Sequence, residues 1–187
     1  PWFHGDTINA SIGQGFVLTT PLQLATATAI TASHGKKVVP SIAGEKQSVE
    51  RTGITLNDES NWEKMTDAMV AVTGPRGTAR VMAVDAQYAI AAKSGTAQVF
   101  SVGQDETYNE DELAERMLDH ALMVSFGPAE QPAIAVGVLV ENGRHGGSTA
   151  GPVARQVMDA WLLNENGELE APPVFEEPPP PPAEVSP

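Results

Sequence analysis

Two short apolar runs constrain this chain most: residues 120–126 and 133–140 stand either side of a connection that contains Pro128 and Pro132. Runs of this length, rich in Val, Ile, Ala and Phe, are strand-sized, and so short a connection closes them into an antiparallel hairpin. Within 133–140 apolar and polar residues do not alternate, which is the pattern of a sheet covered on both faces. A third run, Tyr88–Phe100, lies before a longer charged insertion, Ser101–Asp119. The expected class is therefore α+β, an antiparallel sheet flanked by helices.

The covering helices are legible too. Thr20 followed by Pro21 is a cap-then-N1 signal, and Leu22, Ala25, Ala29 and Ala32 recur at helical steps until Gly35. Ser60 and Glu63 have capping-box spacing, with Trp62, Met65, Met69 and Val72 as one apolar stripe that ends at Gly74-Pro75. Ser148-Thr149 is expected to cap a last helix with Pro152 in its first turn, laying Val153, Val157, Ala160 and Trp161 on the sheet and ending at Gly167. Residues 1–164 then make one domain. Residues 165–187 read as a disordered acidic tail whose proline run cannot bury enough apolar surface to offset ordering entropy.

Charge narrows the partners. The formal net charge is −13, and six glutamates beyond Arg155 carry part of it, leaving roughly −7 for the body. An acidic surface repels phosphate backbones, so no nucleic-acid partner is expected. The longest apolar stretch, 133–140, is far shorter than the ~18 residues of a membrane span. The chain contains no cysteine. His4, His34, His120 and His145 lack zinc-like spacing, and Asp85, Asp119 and Glu141 show no carboxylate partner, so no metal or cofactor is expected. Gly13-Gln14-Gly15 and Gly146-Gly147-Ser148-Thr149 lack the lysine of a phosphate loop and read as a tight turn and the start of a helix.

The sharpest chemical signal is Lys93-Ser94-Gly95-Thr96 inside the first strand run. A lysine and a glycine are both unwelcome in a buried strand unless a ligand approaches it. An ammonium attracts a carboxylate, the hydroxyls of Ser94 and Thr96 can donate to it, and Gly95 lets a peptide backbone come close to the strand. A Thr96 amide aimed at a developing oxyanion would suit acyl transfer. Lys93 and Thr96 are the candidate catalytic residues; Lys93, Ser94, Gly95 and Thr96 are the candidate substrate-binding residues.

A K-[ST]-G strand between a helical stretch and a terminal hairpin plus helix resembles the second half of the penicillin-binding and serine β-lactamase fold. The segment from Gly5-Asp6-Thr7 through Ser11-Ile12-Gly13-Gln14-Gly15 to Thr20-Pro21-Leu22-Gln23 is similar to class B penicillin-binding proteins. Gly77-Thr78-Ala79, Ala91 to Phe100 and Asp119-His120-Ala121 look most like the elongation type, penicillin-binding protein 2, and Glu141-Asn142-Gly143 with Pro152 to Arg155 extends the likeness to about residue 163. The resemblance implies the C-terminal part of a serine peptidoglycan D,D-transpeptidase that binds D-alanyl-D-alanine stem peptides and β-lactams. It also implies a preceding part of the same protein with a membrane anchor, a place on the periplasmic face of the bacterial inner membrane, and membrane proteins of cell elongation as partners. The sequence starts at Pro1, and the expectation is a chain without the family's S-x-x-K nucleophile motif; no S-x-N precedes Lys93. The alternatives are a short non-catalytic carboxylate- or peptide-binding module, and a piece of a septal transpeptidase or D,D-carboxypeptidase.

Overall fold

The computed structural model describes residues 1–40, 53–99 and 114–170. Most of the Ser101–Asp119 insertion and the tail beyond Glu170 lie outside the described residues. In chain order the elements are α1 (His4–Ser11), α2 (Pro21–Ala32), α3 (Ser60–Thr73), β1 (Ala91–Ala97), β2 (His120–Gly127), β3 (Ile134–Val140) and α4 (Gly151–Leu162), with 3-10 turns at Arg80–Ala83 and Glu115–Met117.

The three strands form one antiparallel sheet in the order β1-β2-β3, with Ala91 opposite Phe126 and Phe126 opposite Ala135. Helices cover both faces, as the unbroken apolar run of β3 requires. On one face Ala32 of α2 and Met69 of α3 pack with Ala91 and Phe126. On the other, Ala154, Met158 and Leu162 of α4 pack with Ala92, Met123 and Val136. Among the described residues only one edge of β1 is paired, so its other edge stands open.

Thr20 caps α2 as expected: its hydroxyl accepts from Gln23 N–H, and the Gln23 carboxamide accepts from Thr20 N–H. A side chain at Gly137 would press on the Pro21 carbonyl and Ala25 amide, at 2.9 and 3.2 Å, so the glycine lets α2 lie directly on β3. The helix closes at Gly35, whose φ of 87° is open to glycine and strained for others. Leu22, expected on the buried face, is exposed; Ala32 is buried as expected, and Thr28 is buried with it.

The beginnings of two other helices differ from expectation. Ser60 does not form a capping box with Glu63. Asp58 takes the capping role, because its Oδ1 accepts from both the Ser60 amide at 3.0 Å and the Ser60 hydroxyl at 2.6 Å. Along α3 Met69 and Thr73 are buried whereas Met65 is exposed, and the Thr73 hydroxyl donates to the Ile90 carbonyl at 2.8 Å just ahead of β1. Ser148-Thr149 does not cap α4 either, since Gly146–Ala150 is already one wide π turn that runs into the helix.

That turn sets the rotation of α4. Ala150 and Gly151 are drawn against Met82 and Met123, where a side chain at Gly151 would meet Met82 Cγ at 3.2 Å. Residues three, seven and eleven beyond Gly151 therefore face the sheet: Ala154, Met158 and Leu162. The expected face of Val153, Val157, Ala160 and Trp161 points outward. The helix ends at Leu162 rather than at Gly167; residues 164–170 fold back through a Leu163–Leu169 bridge, with the Asn164 side chain accepting from Asn166 and Glu168 N–H. The first six residues of the stretch read as tail are thus in this turn.

Candidate functional site

Strand β1 carries the candidate site on its open edge. By strand alternation Lys93 and Gly95 share the α2–α3 face with Ala91, whereas Ser94 and Thr96 share the α4 face with Ala92. Lys93 and Thr96 are exposed, and Ser94 and Gly95 are half-buried. The four residues thus flank one strip of backbone from both faces. Lys93 Nζ donates to the Ser94 carbonyl at 2.6 Å, which tethers the ammonium over the strand it would serve.

The strand is braced from its α4 side. The hydroxyls of Ser94 and Thr78 share a hydrogen bond at 3.2 Å. Gly146 lies so close behind β1 that a side chain there would come within 2.7 Å of the Gly95 carbonyl and would strike the Leu122 carbonyl; one at Gly147 would strike the Thr78 carbonyl. These glycines are backing for the site, and the reading of Gly146–Thr149 as a turn into a helix missed that contact. Thr78 belongs with them. On the open side, Gln14 Nε2 donates to the Thr96 carbonyl at 2.7 Å across 82 residues of sequence.

An S-x-x-K spacing does occur, contrary to expectation, at Ser33-His34-Gly35-Lys36. Its geometry is that of a helix end. The Ser33 hydroxyl donates to Ala29 O at 2.8 Å, and His34 and Gly35 both have positive φ, so Ser33 and Lys36 are not successive turns of one helix. The serine hydroxyl also lies near the Lys36 backbone carbonyl, at 3.3 Å, rather than meeting its ammonium. Activation of a serine by an adjacent lysine has no basis there.

Two titratable groups away from β1, Tyr88 and Asp58, hold hydrogen bonds within the scaffold. Burial, aided by a hydrogen bond to Asp159, pushes the Tyr88 phenol well above its ordinary range. Hydrogen bonds from Ser60 and Lys64 hold the exposed Asp58 carboxyl below the usual carboxylate range. Among the described residues no three His, Asp or Glu side chains gather as a metal site, and no helix is long and apolar enough to cross a membrane.

Residues 1–159 match the penicillin binding protein transpeptidase domain. The chain belongs to that family. Among curated transpeptidases, it is 49% identical over 171 residues to the peptidoglycan D,D-transpeptidase MrdA of Acinetobacter baumannii, covering 87% of this chain and 25% of that protein. It is 39% identical over 176 residues to MrdA of Escherichia coli K12, covering 89% of this chain and 28% of that protein. The crystal structure of Pseudomonas aeruginosa PBP2 in complex with WCK 5153 superposes with a TM-score of 0.76 at 43% identity, over 91% of this chain and 35% of that one. Helicobacter pylori PBP2, solved as a complex with MreC, superposes with a TM-score of 0.67 at 27% identity, over 82% of this chain and 27% of that one. The chain thus spans about a quarter of the curated transpeptidases that it matches. The relatives named MrdA and PBP2 agree with the elongation-type resemblance of the sequence.

Proposed function

We propose that this chain is the substrate-strand part of a peptidoglycan D,D-transpeptidase acting in cell-wall elongation, and that the open edge of β1 receives a stem peptide ending in D-alanyl-D-alanine. The observation that carries the reading is one accessible strand edge bearing an ammonium, two hydroxyls and a glycine in four consecutive residues. An extended peptide adds to such an edge through main-chain hydrogen bonds. Its terminal carboxylate is drawn by Lys93 and accepts from the hydroxyls of Ser94 and Thr96, each bond strengthened by the ionised acceptor. The Thr96 N–H then donates to the scissile carbonyl oxygen as negative charge develops there.

The acyl-enzyme serine belongs, in this reading, to the part of the protein that precedes these residues, together with an anchor that holds the enzyme on the periplasmic face of the inner membrane. β-Lactams occupy the same edge through their carboxylate. The complex of Helicobacter pylori PBP2 with MreC supports an interacting elongation protein as the partner of the whole enzyme. Incubation with a penicillin followed by intact-mass measurement tests the division of labour. The 187-residue chain is expected to gain no adduct, and a longer protein with an S-x-x-K helix ahead of Pro1 to gain one. An adduct on Ser33 or Ser94 of the chain alone would overturn it.

A further inference from the structure

We infer that Gln14 is a positioning residue of the peptide-binding edge: its carboxamide donates to the Thr96 carbonyl, the acceptor that an incoming peptide N–H must take. The inference rests on the proposed peptide-binding role of β1 and adds to it a built-in occupant that substrate displaces.

Three observations carry it. First, the contact is direct, with Gln14 Nε2 2.7 Å from Thr96 O. In an antiparallel strand the N–H and C=O of one residue point to the same side, and those of its neighbours to the other. The Thr96 carbonyl, reached by a side chain from outside the sheet, and the Thr96 N–H therefore both face the open edge. A peptide laid along that edge pairs with both. Second, the local backbone is shaped to present this side chain. Gln14 stands between Gly13 and Gly15, with φ of 78° and 69°, and its own N–H donates to Asn9 O at 2.9 Å, so the chain reverses at the end of α1 with the carboxamide projecting. Third, Gln14 is the single residue of 11–20 that is not exposed. Its neighbours Ile12, Phe16 and Leu18 are open to solvent, so the turn is held to β1 by this side chain rather than by apolar packing.

The consequence is a competition for one carbonyl. A peptide that donates an N–H to Thr96 O must first release Gln14, freeing the 12–16 turn as it binds. A ligand without that N–H gains nothing from displacing it.

The test uses the 187-residue chain and two probes: an N-acylated peptide ending in D-alanyl-D-alanine, and its analogue with an ester oxygen in place of the penultimate N–H. Affinities are measured by calorimetry for the wild-type chain, Gln14→Ala and Gln14→Glu, after equal melting temperatures are verified. A neutral hydrogen bond is worth about threefold to tenfold in an equilibrium constant. Gln14→Ala is expected to tighten the amide peptide by about that factor and to leave the ester analogue unchanged. In the wild-type chain, the Gln14 side-chain amide resonances should shift toward solvent values as the amide peptide is added. Gln14→Glu, which cannot donate, should behave as Gln14→Ala does toward the ester analogue. Peptide binding with no gain, or with a loss, in Gln14→Ala overturns the inference about Gln14 alone. Failure of either probe to bind any of the three chains overturns the reading of β1 on which it rests.

Discussion

The Tyr88 hydroxyl donates to Asp159 Oδ1 at 2.7 Å, and Arg155 Nε holds the same carboxylate at 2.7 and 2.8 Å. Arg155 also donates to the Met82 carbonyl at 2.6 Å, so one cluster ties the segment ahead of β1 to α4. The strand that carries Lys93 is thereby fixed at its start to the helix behind the sheet.

The Tyr88 contact makes stability depend on alkaline pH. Burial and the Asp159 carboxylate raise the phenol's pKa, so the folded chain holds that proton more tightly than the unfolded chain does. Its contribution is complete below the unfolded phenol value of about 10 and is lost as pH rises beyond it. Tyr88→Phe is expected to cost ~1 kcal/mol at pH 7 and to flatten the decline above pH ~10. Urea midpoints for both chains across pH 7 to 11 check this, and equal slopes would contradict it.

The rotation of α4 predicts a sharp contrast between adjacent residues. Met158 is fully buried beside Ser125, whose hydroxyl lies 3.3 Å from the Met158 sulfur, whereas Val157 is half exposed. Met158→Ala should cost ~2–5 kcal/mol through lost burial and a cavity. Val157→Ala should stay within ~0.5 kcal/mol. Denaturant unfolding distinguishes the two, and the reverse ranking would restore the outward residues to the core.

Backing of the site by glycine can be tested in the same way. Gly147→Ala places a methyl group into the Thr78 carbonyl, and Gly146→Ala places one against the Gly95 and Leu122 backbones. Neither obstacle is a flexible side chain, so each variant is expected to lose ~1–3 kcal/mol, the range for overpacking. Gly146→Ala should in addition shift the backbone resonances of Ser94 to Thr96. Gly167→Ala, where nothing lies within 4 Å but φ is 76°, serves as the comparison for backbone strain alone.

What was legible in the sequence divides along local and long-range physics. The hairpin of β2 and β3, the Thr20 cap and the K-S-G-T strand are local signals, and each has its expected place. The face of α4 was not legible, because its rotation depends on how the Gly146–Ala150 turn seats against Met82 and Met123, and both candidate stripes are apolar. Asp58 replaced the Ser60 box because an ionised acceptor two residues before the helix outcompetes a hydroxyl, and a spacing rule does not weigh the two. Around the site, Gln14 and Thr78 lie 82 and 16 residues from their partners Thr96 and Ser94. The paired glycines around Gln14 signalled the turn, but nothing local signalled what its side chain would reach.

The most direct test of the central claim is a titration of the isotopically labelled chain with an N-acylated D-alanyl-D-alanine peptide, followed by backbone NMR. Shifts centred on Lys93 to Thr96 are expected, with affinity reduced about tenfold to a hundredfold in Lys93→Met, the worth of a charge-assisted contact. Binding that Lys93→Met leaves intact, or shifts centred away from β1, would contradict the assignment of this edge to the substrate.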